Sequence, residues 1–327
     1  MKYRRLGNSG LQVSEISLGT WLTFDGTSTD YDKNDAITTI KFAYENGINY
    51  FDTANFYGLG NAEKVLGEAL AEFDRTSYVI GSKVYFPMGS KPNQRGLSRK
   101  HIMDQCDQSL KRLNVDYIDI YQCHRYDPST PVEETLTAMN DLVAQGKILY
   151  YGISEWSSGQ IKEGLDTVKQ LGLRKMVSNQ PIYNMLVRQI EKDIIPASKE
   201  GGLGQLVFSP LAQGVLTGAY TSPDKLPENS RLHKTDNDSA SLYFKDEIFE
   251  AISKLKIIAE RERCSLTQLA LSWILLEKNV SSVIMGAENT EQVAENIKAS
   301  DMVWREDLIK EVNGILDQID FTWPLFD

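Results

Sequence analysis

The chain has 327 residues, of which 41% are hydrophobic and 24% charged, enough apolar content to bury a sizeable core. Its formal net charge of −10 argues against a broad nucleic-acid surface, although a few local basic or backbone N–H groups remain able to hold an anion. The three cysteines (Cys106, Cys123, Cys264) contain no Cys-x-x-Cys pair and the three histidines (His101, His124, His233) are scattered, which excludes a recognisable metal motif or disulfide framework.

The N-terminal MKYRRLGNSG is basic, but no apolar stretch follows it, so no signal peptide is read. No run of about 18 apolar residues occurs, so no membrane insertion is expected, and the cytoplasm is the expected location. The first 13 residues read as a hairpin, YRRL and LQV around the turn GNSG. Eight strand-like segments follow: Ile16–Thr20, Tyr50–Ala54, Tyr78–Val84, Tyr117–His124, Leu149–Ser154, Met176–Gln180, Gln205–Pro210 and Ser282–Ala287. Several are continuous apolar runs, as in a parallel sheet buried on both faces.

Helical signals lie between them. Ser98 is placed to cap a helix whose Ile102, Cys106, Leu110 and Leu113 share a face. Thr130-Pro131-Val132-Glu133 reads as a capping box with Pro at the first helical position, and Gly146 as the stop. Ser157-x-x-Gln160, Ser265-x-x-Gln268 and Asn289-x-x-Gln292 open further helices. Eight strand-then-helix units predict an α/β protein, a (β/α)8 TIM barrel, with an N-terminal β-hairpin and a long loop between strands seven and eight. That loop holds two helices near 246–263 and 266–278. A doubly wound sheet is the competitor, weakened because no G-x-G-x-x-G follows the first strand. No linker divides the chain, so residues 1–327 read as one domain.

In such a barrel the C-terminal strand ends carry the site. Asp52, Lys83 and His124 fall there, and Tyr57 follows strand two. Alone, Asp52 reads as a turn cap, Tyr57 as a loop aromatic and His124 as a core histidine, while a Lys inside an apolar strand leans functional. Together they form a set for proton transfer to a carbonyl oxygen. A phenol has a pKa of roughly 10; a neighbouring Lys would lower it, an Asp would keep the Lys charged, and a His would orient the carbonyl. Hydride would have to come from a nicotinamide cofactor. Trp21, Phe56, Tyr85 and Trp156 are candidate walls for a small carbonyl substrate.

Ordered blocks along the whole chain carry a resemblance. They include YRRLGNSGLQVS, GINYFDTANFYG, LKRLNVDYIDIYQCHRYDP, VSNQPIYN, FSPLAQGVLTG and MGAENTEQVAEN. The chain resembles the aldo-keto reductase family, and within it the branch of potassium-channel β subunits and their bacterial reductase relatives. The resemblance implies NADP(H)-dependent reduction of aldehydes or ketones, with Tyr57 as general acid and Asp52, Lys83 and His124 completing a tetrad. Channel β subunits tend to carry Asn where this chain has His124, which favours a working enzyme. The alternative is a redox-sensing regulatory subunit of a membrane protein that holds cofactor. A homo-oligomer is left open.

The resemblance also implies cofactor positions. Gly19, Thr20, Trp21 and Asp52 lie near the mouth of strands one and two. Ser154 and Gln180 match residues that hold a nicotinamide carboxamide, and Phe208 matches an aromatic stacked on the ring. Ser209, Pro210, Leu211 and Gln213 match pyrophosphate contacts, with Gly214 and Gly218 allowing close approach. Arg231 matches a basic residue near the adenosine end. Gly286, Gln292, Glu295 and Asn296 surround the last barrel helix start, expected to favour phosphate. Three residues depart from the pattern: Ala219 stands where many relatives have Lys, Glu288 where Ser or Lys would suit a 2′-phosphate, and Glu155 where channel β subunits have Arg. NADPH is the expected cofactor; Glu288 leaves NAD(H) open.

Overall fold

In the computed structural model, which describes residues 1–27, 31–220, 222 and 238–324, the chain opens with the expected hairpin. β1 (Tyr3–Arg5) pairs antiparallel with β2 (Gln12–Ser14). Gly7, at φ 52°, lies against the backbone of Gly202 and Gly204, where a Cβ would not fit. Arg4 pairs with Glu15 at 2.6 Å and donates to the carbonyls of Leu275 and Val280, fastening the hairpin to the barrel.

Eight parallel strands then close on themselves. They are β3 (Ile16–Gly19), β4 (Tyr50–Asp52), β5 (Val79–Val84), β6 (Ile118–Cys123), β7 (Ile148–Ser154), β8 (Ser178–Gln180), β9 (Gly204–Val207) and β10 (Val280–Met285). β10 pairs with both β9 and β3, which completes the ring. One apolar cluster fills the barrel interior: Tyr50, Val79, Ile120, Leu206 and Ile284, with Leu6 and Val13 of the hairpin. The larger cluster lies between the strands and the surrounding helices.

The helices are α1 (Lys33–Glu45), α2 (Asn61–Leu70), α3 (Arg99–Leu113), α4 (Val132–Ala144), α5 (Ser158–Leu171), α6 (Ile194–Gly201), α7 (Asp246–Arg261), α8 (Leu266–Ile274), α9 (Thr290–Asn296) and α10 (Glu306–Leu316). Ser98 caps α3, and Ser157–Gln160 and Ser265–Gln268 form full capping boxes on α5 and α8. Thr130 does not cap α4. Its hydroxyl donates to Asp127 Oδ2 at 2.9 Å instead, and Pro131 takes the cap position without a side-chain bond.

The long connection between β9 and β10 holds α7 and α8, close to the expected positions. The strands differ from the expected bounds mostly by one or two residues; β4 and β9 end two and three residues sooner than expected, and β8 begins two residues later. β4 stops at Asp52, β8 covers only Ser178–Gln180, and β9 stops at Val207. Pro181 and Pro210 lack the N–H that further pairing needs, and Ser209 turns away with φ 51°.

Candidate active site

Asp52 is the last residue of β4, Lys83 the penultimate residue of β5, and His124 directly follows β6. Tyr57 opens a 3-10 turn, Tyr57–Gly60, after β4. Gly58 in that turn has φ 54° and abuts the Asp25 carbonyl, so a side chain there would displace the turn that presents Tyr57.

Lys83 is fully buried and spends all three of its donors. Its Nζ donates to Asp52 Oδ2 at 2.6 Å, to the Thr53 carbonyl at 2.9 Å and to the Tyr57 hydroxyl at 3.3 Å. The other carboxylate oxygen, Asp52 Oδ1, accepts from the Tyr50 hydroxyl at 3.0 Å and from Gln180 Nε2 at 2.8 Å. Gln180 Nε2 also reaches Gln122 Oε1 at 3.1 Å. The Tyr57 and His124 rings meet edge to face at 5.7 Å, and Phe86 packs on His124 at 4.8 Å.

The electrostatics differ from the expectation at Tyr57. Burial raises its pKa; the Lys83 cation and hydrogen bond pull it down, and Asp52 opposes them. The net direction is upward, because the phenol loses more from desolvation than Lys83 returns. For Lys83, burial acts downward, but Asp52 and Tyr57 together outweigh it and hold the ammonium charged. His124 is pushed well below the usual histidine range by burial, then by the charges of Lys83 and Arg125, so its imidazole is neutral. Its Nδ1 is buried with no hydrogen-bond partner among the described residues, which favours the tautomer protonated on Nε2.

A cavity of about 2070 Å³ spans the site. Asp52, Tyr57 and His124 line it, while Lys83 lies behind them in the wall. All four expected aromatic walls line it, Trp21, Phe56, Tyr85 and Trp156, joined by Phe86 and Tyr126. Gly19, Ser154, Gln180 and Phe208 face it, as do Ser209, Pro210, Leu211, Gln213 and Gly214. Gly286, Gln292, Glu295 and Asn296 line its far side, with Glu288.

Some expected positions are not brought to the cavity. Thr20 is fully buried and absent from the lining. Gly218 also lies off it: a Cβ there would collide with the Lys256 side chain, so the close approach it permits is to α7. Arg231 lies outside the described residues. At the start of α9, Asn289 already accepts the Gln292 N–H at 2.9 Å, and Gln292 Oε1 accepts the Glu288 N–H at 2.9 Å. Those two N–H groups are therefore satisfied by side chains rather than turned to a phosphate.

Tyr50, Gln122, Phe86 and Arg125 escaped the sequence reading. Tyr50 carried a signal, since strand residues two apart share a face and Asp52 is two residues on. Gln122 stands in the same relation to His124. Phe86 and Arg125 sit next to expected residues in loops, where direction is not periodic.

The family model for the aldo/keto reductase family matches residues 15–317. Three similar proteins carry provisional names as voltage-gated potassium channel β subunits. One, from Schizosaccharomyces pombe, is 41% identical, covering 96% of this chain and 93% of its own. Those from Arabidopsis thaliana and Oryza sativa subsp. japonica are each 40% identical, covering 93% of this chain and 92% of their own. With a closed eight-stranded parallel barrel and a match over nearly its full length, the chain belongs to the aldo/keto reductase family of oxidoreductases.

Proposed function

We propose that the protein reduces aldehydes and ketones to alcohols with NADPH, with Tyr57 as the proton donor. The observation that carries this reading is the buried chain Tyr50–Asp52–Lys83–Tyr57, which ends at a phenol facing the cavity beside a neutral imidazole. A bound nicotinamide would supply the hydride, which no side chain can.

The residues fit such a cofactor. Ser154 and Gln180 are register partners at the ends of β7 and β8. Ser154 Oγ donates to the Gln180 carbonyl at 2.8 Å, and the Gln180 amide nitrogen is spent on Asp52 and Gln122. Gln180 Oε1 and the Ser154 oxygen remain as acceptors, suited to a carboxamide NH2. Phe208 supplies a flat wall directly after the next strand, β9, and a Cβ at Gly286 would meet open space, so backbone there is bare to a ligand.

The remaining work falls to this chain. His124 donates from Nε2 to the substrate carbonyl oxygen and fixes its position. Tyr57 protonates the same oxygen as it gains charge. The phenolate left behind faces the Lys83 ammonium, and Asp52 prevents that ammonium from neutralising in its buried site. The raised phenol pKa keeps Tyr57 in the protonated form that reduction needs.

The test is steady-state oxidation of NADPH and NADH against a panel of aldehydes and ketones. Carbonyl-dependent oxidation, faster with NADPH, is expected. Its absence with every carbonyl and both cofactors would overturn the reading. A second reading is favoured by the names of the similar proteins: a cofactor-holding, redox-sensing subunit of a membrane protein. Slow turnover together with recovery of a membrane partner would replace the first reading with this one.

A further inference from the structure

Arg125 follows His124 at the end of β6 and lines the same cavity. It is half-buried, and its guanidinium lies 5.5 Å over the Phe86 ring, the ring that also packs on His124. Nη1 donates to the His124 carbonyl at 2.6 Å, which pins the head group beside the tetrad. No ion pair with any described residue engages it, and Nε and Nη2 have no hydrogen-bond partner among them. Glu155 shares the cavity, and the Arg125 charge offsets part of what burial does to its carboxyl, but it forms no ion pair with Arg125 and instead accepts the Ile182 N–H at 2.7 Å.

A half-buried guanidinium whose outer edge carries no hydrogen-bonded carboxylate keeps two charge-assisted donors open to a ligand. With Nη1 committed, the edge left open is the Nε–Nη2 fork, two parallel donors that match the two oxygens of a carboxylate. The position separates this edge from cofactor phosphates. In the ring of eight strands β6 stands opposite β10, and Ser154, Gln180, Phe208 and Gly286, the cofactor contacts proposed above, lie at the ends of β7 to β10.

We propose that the Nε–Nη2 edge of Arg125 is a carboxylate-recognition site in the substrate pocket, so that the preferred carbonyl substrates carry a carboxylate group. This rests on the reductase reading above. It adds a charged requirement to a pocket whose aromatic walls alone would select only small apolar or aromatic carbonyls.

The experiment compares 2-, 3- and 4-carboxybenzaldehyde with their methyl esters in the wild type, Arg125→Met and Arg125→Lys. The readout is the acid-to-ester ratio of kcat/KM within each protein, which cancels any general effect of the substitution on the tetrad. One isomer is expected to give a ratio above about 10 in the wild type, falling roughly 10- to 100-fold in Arg125→Met, the range of a charge-assisted pair. Arg125→Lys should restore only part of it, since an ammonium cannot offer a planar fork. Ratios near one for all isomers in the wild type, or the same ratios in Arg125→Met, would overturn the proposal while leaving the reductase reading standing. If none of these, nor any carbonyl of the wider panel, is reduced with either cofactor, the reductase reading has failed. Benzoate binding, read by quenching of the tryptophan fluorescence, then decides the site itself. Saturable quenching that Arg125→Met abolishes supports it, and quenching absent or unchanged by the substitution overturns it.

Discussion

The Tyr50 hydroxyl donates to Asp52 Oδ1 at 3.0 Å while Lys83 holds Asp52 Oδ2 at 2.6 Å, so the buried carboxylate is gripped from both sides. Tyr50 and Asp52 stand two apart on β4 and so face the same way into the barrel. Gly81 on β5 is the register partner of Asp52 and leaves the room the Tyr50 hydroxyl occupies; a Cβ there would lie 2.5 Å from it. The proton donor Tyr57 is thus tied, through Lys83 and Asp52, to a phenol in the barrel interior.

Tyr50→Phe keeps the packing and removes one donor from Asp52. Leaving that buried oxygen short is expected to cost about 1–3 kcal/mol of stability. kcat should fall while cofactor affinity holds. Urea unfolding and steady-state kinetics measure both.

Gly81→Ala places a methyl group against the Tyr50 hydroxyl and is expected to cost about 1–3 kcal/mol. In a Tyr50→Phe background the hydroxyl is gone and the cost should shrink. A double-mutant cycle should give a coupling above about 0.5 kcal/mol between the two positions; additivity would show that the notch does not serve the hydroxyl.

Lys83→Met leaves the Asp52 charge buried without its cation. The expected loss is about 3–5 kcal/mol. Adding Asp52→Asn to Lys83→Met should recover part of the stability and none of the turnover, since the phenolate still lacks its cation. Chemical denaturation of the single and double variants decides this.

The pH profile follows from two shifts of opposite sign. Burial raises the Tyr57 phenol, so the proton-donating form persists through neutrality and is lost only above the ordinary value of about 10. Burial and the neighbouring cations depress His124, so it stays neutral as pH falls through the ordinary value of about 6.5. kcat/KM for reduction should therefore be flat between about pH 6.5 and about 10. A falling alkaline limb centred near about pH 8 would mean that Lys83, not burial, dominates the phenol.

The barrel was legible because its signals are local and repeated: buried apolar strands, capping serines, and helices between them. Ser157 and Ser265 formed the boxes their spacing promised, since a serine and a glutamine three residues on need only each other. Thr130 failed because Asp127, three residues back, competed for its hydroxyl. Asp52, Lys83 and His124 were legible because strand ends mark one rim of a barrel. The Gly81 notch was not, because it depends on the register between β4 and β5. Lys83 acts on Tyr57 in the direction expected from sequence, but burial outweighs it, and how deeply the phenol is buried is not encoded in the sequence pattern. Gly218 looked like a cofactor glycine by position, yet what it faces is Lys256, 38 residues later.

The most direct test is Tyr57→Phe, which removes the proposed donor and keeps the ring. With an aldehyde that the wild type reduces, the expected result is loss of about 100-fold or more in kcat, the scale of general acid catalysis, with NADPH binding retained. Turnover equal to the wild type in a folded, cofactor-binding Tyr57→Phe protein would contradict the assignment of Tyr57 as the acid.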